Sequence, residues 1–153
     1  MDLKLQMNKN ISIREMHLSD KEAILDMMRT FYSSPAVYTN GSEEIFLSDF
    51  NNCINDNPYI EGYVFQKEHT LLGYAMLAKS FSTEFGKLCI WIEDLYFKPQ
   101  YRGQGIGNMF FDYIFEKYKE AIFRLELEED NEYALRLYKK KGFTIIPYIE
   151  MKR

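Results

Sequence analysis

Soft metal ligands are scarce in this chain: two cysteines, Cys53 and Cys89, and two histidines, His17 and His69. No spacing among them has the form of a zinc site, so no metal is expected. Cys53 falls on an apolar helical face and Cys89 inside an apolar strand, which reads as two buried free thiols. An excess of positive charge is also lacking. Lys and Arg number 19 against 23 Asp and Glu, a formal charge of −4. A nucleic-acid partner ordinarily calls for a basic surface, so none is expected, and a cationic small molecule suits the balance better. No run approaches the ~20 apolar residues of a membrane span. The start Met1-Asp2-Leu3-Lys4-Leu5-Gln6 lacks the apolar core of a signal peptide. The expectation is a cytoplasmic protein with no membrane partner. Repeats, low-complexity tracts and Pro/Ser-rich linkers are missing too. The 153 residues therefore suggest one domain over 1–153, with polar residues 1–10 fraying.

What the chain does have is apolar and aromatic mass, 46% and 16% of its residues, arranged with changing period. Alternation at Ile11, Ile13 and Met16 predicts a first strand. Ser19-Asp20-Lys21-Glu22 has the form of a capping box. It precedes a helical face of Ala23, Ile24, Met27, Met28 and Phe31 that ends at Ser33-Ser34-Pro35. Gly41-Ser42-Glu43-Glu44 opens a second helix with Phe46, Phe50, Cys53 and Ile54 inward. Two strands, 60–66 and 71–79, meet at a turn near Glu68-His69. A loop over 81–87 leads to a long strand, 88–97, stopped by Lys98-Pro99. A helix follows over 105–119, then a strand at 123–127. A helix over 131–141 ends at Gly142, and 143–152 supply the last strand or two. The order predicts an α/β fold: a mixed central sheet, mostly antiparallel, with a parallel strand pair in its second half and helices on both faces.

The strongest local signal is Tyr101-Arg102-Gly103-Gln104-Gly105-Ile106-Gly107, which follows a strand and opens a helix. Glycines permit unusual backbone angles and close approach of a ligand. The free N–H groups of a helix start suit phosphate, and the Arg102 guanidinium matches phosphate oxygens. A plain turn before a helix would use the same glycines. A P-loop would need Gly-Lys-Ser/Thr where Gly107 is followed by Asn108-Met109. A dinucleotide fingerprint would need G-x-G-x-x-G, and the spacing here is G-x-G-x-G.

Arg102-x-x-Gly105-x-Gly107 resembles the acyl-CoA loop of the GCN5-related N-acetyltransferase (GNAT) family. The preceding Glu93-Asp94-Leu95-Tyr96-Phe97-Lys98-Pro99-Gln100-Tyr101 is similar to that family's strand and its approach to the loop. The segment from Asn131 to Phe143, with Asn131, Ala134, Tyr138 and Gly142-Phe143 in order, resembles its next signature. The likeness covers about residues 60–143. Trp91 to Phe97 together with Leu137 to Gly142 most resembles the spermidine/spermine and thialysine N-acetyltransferase branch.

The resemblance implies a GNAT fold in which strands 88–97 and 123–127 splay apart around acetyl-CoA, the co-substrate. It implies that the main chain at Leu95, Tyr96 and Phe97 holds the pantetheine arm or polarises the carbonyl. Arg102, Gly103, Gln104, Gly105, Ile106 and Gly107 would hold the pyrophosphate. Asn131 would touch the pantetheine or cap its helix. The implied reaction is attack of a neutral amine on a thioester. The amine must lose a proton, since an alkylammonium has a pKa near ~10.4, and the departing thiolate must gain one. Tyr138 stands at the family's general-acid position; core packing is its other reading. Glu93 is the candidate base and Asp94 the amine binder, because a carboxylate inside an apolar strand is costly unless paired or facing a cavity. A salt bridge from Glu93 to Arg124 or Arg136 is the alternative. Strict alternation would put Trp91, Glu93, Leu95 and Phe97 on one face and Ile92, Asp94 and Tyr96 on the other. Phe31 and Tyr32 either wall the acceptor site or pack in the core. The acidic run Glu126, Glu128, Glu129, Asp130 and Glu132 either draws in a polyamine or is a solvated strand end. Lys139-Lys140-Lys141 suits a last helical turn or the coenzyme's 3′-phosphate. The expected function is transfer of an acetyl group to a small primary amine, such as a polyamine or an amino-acid-like amine. The alternatives are acetylation of a protein lysine or N-terminus, or an acetyl-CoA-sensing module without turnover. A homodimer would be in keeping with the resemblance.

Overall fold

A computed structural model describes residues 10–153. The fraying expected over 1–10 thus falls outside the described residues, apart from Asn10. The chain runs β1 (Ile11–Glu15), a 3-10 turn (Leu18–Asp20), α1 (Lys21–Tyr32), α2 (Glu43–Ile54), β2 (Ile60–Lys67), β3 (Thr70–Ser82), β4 (Lys87–Phe97), a second 3-10 turn (Pro99–Tyr101), α3 (Ile106–Lys117), β5 (Ile122–Leu125) and α4 (Glu132–Lys140). The five strands lie side by side in chain order. β1 to β4 pair antiparallel, and β4 with β5 is parallel. The mixed sheet expected from sequence is the one observed.

Two apolar clusters form on the two sides of this sheet. One joins Ile90, Ile92 and Phe97 of β4 to Ile106, Phe110, Phe111 and Ile114 of α3, with Leu137 and Tyr138 of α4 against it. The other joins Val64, Tyr74, Met76 and Tyr96 to Ile24, Met27 and Met28 of α1 and Phe46 and Phe50 of α2. The helical spacing of those side chains is what puts them on one stripe. Helices therefore cover both faces, as the alternating order of elements requires.

Three expectations change. Ser19 does not cap α1; it lies in the 3-10 turn, and the Asp20 side chain closes that turn without capping the helix. The Asp20 carboxylate accepts the His17 N–H at 2.8 Å and both Arg14 guanidinium nitrogens at 2.8 Å. An acid at that place satisfies an orphan N–H and a strand cation at once, which a serine hydroxyl cannot. The loop foreseen at 81–87 is shorter, because Phe81 and Ser82 pair with Leu88 and Lys87. The hairpin turns at 83–86, with Gly86 at φ 63°.

The third change concerns 143–152, which hold no strand. Gly142 ends α4 at φ 91°, and Phe143 packs edge-on against Phe111 and Tyr138. Beyond it the chain makes side-chain contacts in place of a ladder. Tyr148 donates to Glu84 at 3.1 Å, and the Lys152 ammonium lies over the Tyr38 ring. Apolar residues alone do not make a strand; they need a free edge in register.

Asp20 is buried at 6% exposure, so its pairing can be tested. Burial would push its carboxyl up, but the bonds from Arg14 and the His17 N–H outweigh that and hold it below the usual carboxylate range. A depressed pKa contributes stability above the unfolded value of ~3.9, lost as pH falls through the folded value. Asp20→Asn is expected to cost about 2–4 kcal/mol at pH 7. The gap from wild type should close in urea melts below about pH 4.

Candidate active site

β4 is the spine of the site, and its register breaks in the middle. Met76 of β3 pairs with Asp94, but the next residue, Leu77, pairs with Ile92, so Glu93 is left over as a bulge. A bulge adds a residue and shifts the phase of alternation. Ile90 and Ile92 before it, and Leu95 and Phe97 after it, all meet the α3 cluster. Asp94 and Tyr96 turn to the α1/α2 side. The strict alternation expected from sequence therefore fails at Glu93. That carboxylate does not share a face with Leu95 and Phe97; Asp49 of α2 and Tyr32 of α1 feel its charge, and it feels that of Asp94.

The bulge sits where β5 lets go. Pairing with β5 ends at Ile92 and Leu125, while β4 runs on to Phe97. Past that point the β5-facing edge of β4 carries no partner strand. Lys98 N–H donates to Leu72 on β3. By antiparallel alternation, Tyr96 also turns its main chain toward β3, whereas Leu95 and Phe97 turn theirs toward the opening. Phe97 carbonyl accepts from Arg102 Nε at 2.9 Å, tying the loop to the strand end.

The loop itself turns on two left-handed glycines. Gly103 and Gly105 take φ of 73° and 82°, left-handed angles that a side chain resists. Nothing stands within 4 Å of where a Gly103 Cβ would be. Gly107 serves a different need: a Cβ there would meet Leu137 Cδ2 at 2.7 Å, so its lack of a side chain lets α3 approach α4. Arg102 is exposed, with its guanidinium 5.7 Å from the Tyr96 ring. Gln104 is spent locally, donating to Gln100 carbonyl. Asn131 is a helix cap: its Oδ1 accepts from Ala134 N–H at 3.2 Å.

Among the described residues, the carboxylates around the bulge have no Lys or Arg within ion-pair distance. Asp94 is buried at 3% exposure. Its two oxygens accept from Tyr32 at 2.8 Å and Tyr74 at 2.7 Å. Burial raises its pKa and the phenols offset part of that rise. Glu93 opens to solvent at the mouth of the cleft, yet it is flanked on enough sides to be pushed up, by burial first and then by Asp94 and Glu150. Asp49 rises to about 6, from burial and from Asp94 and Glu93. Glu126 is pushed up by burial, by its bond with Glu150 and by Glu93. The alternative salt bridges for Glu93 are not made. Arg124 stacks 4.6 Å from the Trp91 ring and Arg136 pairs with Glu132.

Phe31 and Tyr32 belong to the aromatic packing of the α1/α2 side, with Phe31 edge-on to Tyr74 and Tyr32 against Phe46. Tyr32 reaches the site through its bond to Asp94. Tyr138 lies on the opposite side of the sheet, edge-on to Phe111, and burial pushes its pKa up to about 12. It is thus protonated at neutral pH, the state an acid must start from. Cys53 is half-buried, its thiol pushed up to about 12 by burial and by Asp49 and Asp94, and Cys89 is buried; both are free.

Sequence reasoning did not single out Asp49, Glu150 or Tyr133. The Tyr133 hydroxyl accepts from Gly103 N–H at 3.1 Å, across 30 residues. Asp49 sits on a polar helix face and Glu150 in the segment expected to be a strand, so neither carried a local signal.

Comparison with known proteins agrees with this geometry. The sequence model described as the acetyltransferase (GNAT) family matches residues 22–143. Thialysine N-epsilon-acetyltransferase of Sus scrofa is 30% identical over 146 residues, covering 87% of this chain and 84% of that one. A Bacillus subtilis (strain 168) relative, provisionally named a ribosomal protein bS18-alanine N-acetyltransferase, is 29% identical over 146 residues, covering 89% and 82%. In fold, the crystal structure of a possible acetyltransferase from Clostridium difficile 630 superposes with a TM-score of 0.79 at 19% identity, over 95% of this chain and 97% of that one.

The buried Asp94 gives a pH test. A carboxyl raised above its unfolded value contributes stability at low pH that is lost as pH rises through the folded value. Asp94→Asn removes the charge and keeps an acceptor for one phenol. The variant is expected to gain stability relative to wild type as pH rises from 4 to 8, read by thermal melts. A difference that stays flat across that range would refute a strained buried carboxylate.

Proposed function

The chain belongs to the GNAT family of acetyltransferases and is an acyl-CoA-dependent N-acetyltransferase; on that premise we propose that acetyl-CoA is its acyl donor and a small primary amine its acceptor. The observation that carries the acceptor is the set of unneutralised carboxylates around the β4 bulge. Glu93, Asp94, Asp49 and Glu126 have no Lys or Arg within ion-pair distance among the described residues. Burial pushes all four up, and neighbouring negative charge adds to the rise of three: Asp94 acts on Glu93, Asp94 and Glu93 on Asp49, and Glu93 on Glu126. An ammonium entering there relieves that repulsion, so a cationic acceptor is favoured over a neutral or acidic one. The thialysine relative's name is in keeping with that class.

The donor fits the residues present. Leu95 and Phe97 offer main-chain groups along the unpaired edge of β4, which suits an extended amide-bearing arm laid down like a strand. The N–H groups at the start of α3, with Arg102, suit a pyrophosphate. When bound, the donor supplies a thioester carbonyl open to attack. Glu93 takes the proton of the acceptor ammonium, directly or through water, and its raised pKa brings it nearer the amine's than an ordinary carboxylate would be. Leu95 N–H stabilises the oxygen on which charge develops. Tyr138 gives its phenolic proton to the leaving sulfur. Asp94 holds Tyr32 and Tyr74 in place and adds negative potential beneath the amine.

A panel of amines with acetyl-CoA, followed by thiol release, tests the reading. Diamines and basic amino-acid-like amines are expected to be turned over in preference to acidic or neutral acceptors. For the best acceptor, Tyr138→Phe should lower kcat at least ~100-fold and Glu93→Gln should lower kcat/KM by a similar factor. Wild-type kcat/KM should rise with pH through a midpoint above the ordinary glutamate value of ~4.3. Full rates in both variants would remove these residues from the chemistry.

A further inference from the structure

A side-chain hydroxyl from α4, that of Tyr133, reaches the glycine loop. Tyr133 lies in the first turn of α4 and is 48% exposed, so burial does not account for its position. Its hydroxyl accepts the N–H of Gly103 at 3.1 Å. That peptide group lies in the loop assigned above to the pyrophosphate, and its N–H is spent on Tyr133. A hydroxyl can accept and donate together. Among the described residues the Tyr133 proton has no acceptor, and the space beside Gly103 is open. Accepting from a peptide N–H also polarises an O–H toward donation. The hydroxyl therefore stands at an anion site with its proton unspent.

We propose that Tyr133 is a donor-binding residue that gives its hydroxyl proton to a pyrophosphate oxygen of acyl-CoA, while its bond to Gly103 ties α4 to the loop. This rests on the acyl-CoA reading of the loop. It extends the phosphate site from a cradle of main-chain N–H groups to one that also uses a side chain from the far side of the opening. Asn131 caps the same turn at Ala134, which fixes the helix start and so the direction of the Tyr133 side chain. The phenol carries no positive charge, so its contribution should resist salt better than that of Arg102.

The test is Tyr133→Phe in the full chain, which removes one oxygen and keeps the ring. Calorimetric titration with CoA should show the variant's Kd raised about tenfold, the scale of a hydrogen bond to a charged group. KM for acetyl-CoA should rise alike, with kcat at saturation held. With 3′-dephospho-CoA the same factor should persist, because the pyrophosphate is still present. With S-acetylpantetheine, which has no phosphate, variant and wild type should have equal KM. An unchanged Kd for CoA in the variant would overturn the proposal. So would an equal loss with S-acetylpantetheine, which would make the role structural. A loss that vanishes with 3′-dephospho-CoA would move the contact to the 3′-phosphate and overturn the pyrophosphate assignment. If wild type itself fails to bind CoA, the acyl-CoA reading fails rather than the role of Tyr133.

Discussion

Most of what this molecule can do depends on the extra residue in β4. Without the bulge at Glu93, alternation would carry Asp94 to the α3 side, among Phe110, Phe111 and Ile114. A carboxylate there would lose the Tyr32 and Tyr74 hydroxyls and, unpaired, would cost several kcal/mol. With the bulge, Ile90 and Ile92 stay in register with Leu95 and Phe97 on the apolar side, and Asp94 meets Tyr32 and Tyr74. The same break coincides with the end of pairing to β5 at Ile92 and Leu125. One irregularity thus opens the sheet, re-aims two carboxylates and leaves the main chain of Leu95 and Phe97 facing the opening.

The electrostatics follow from that placement. A buried carboxylate is stabilised by a cation or by hydrogen bonds, and Asp94 has only the latter. Its negative potential then acts on Glu93 and Asp49. The site is held in a state of mutual repulsion that a cation would relieve. Burial of Tyr138 has the opposite sense for function: it keeps a phenol protonated on the other side of the opening. In the proposed reaction Glu93 is the base and Tyr138 the acid, the two proton transfers that exchange between an amine and a thioester requires.

Much of this was legible in the sequence, and the failures have physical causes. The order of elements, the mixed sheet and the two helix-covered faces follow from period and turn chemistry. The loop, Glu93, Asp94 and Tyr138 were singled out through spacing and resemblance. The bulge was not, because a register shift depends on β3 as much as β4, and one strand's alternation cannot show it. Ser19 was read as a cap because it matches a pattern, but it lies inside a 3-10 turn that Asp20 closes by accepting from His17 and from Arg14 of β1. The apolar residues at 145–151 looked like a strand, but β-propensity expresses itself only against an available edge. Tyr133 was one tyrosine among twelve, and its partner lies 30 residues away.

The central claim is that an acyl donor occupies the edge of β4 freed by the bulge. Backbone amide NMR of the protein titrated with CoA tests it directly. The account predicts that the amides of Leu95 and Phe97 shift and become protected from exchange, together with Gly103, Ile106 and Gly107. Saturable CoA binding that leaves Leu95 and Phe97 unshifted and freely exchanging would contradict it.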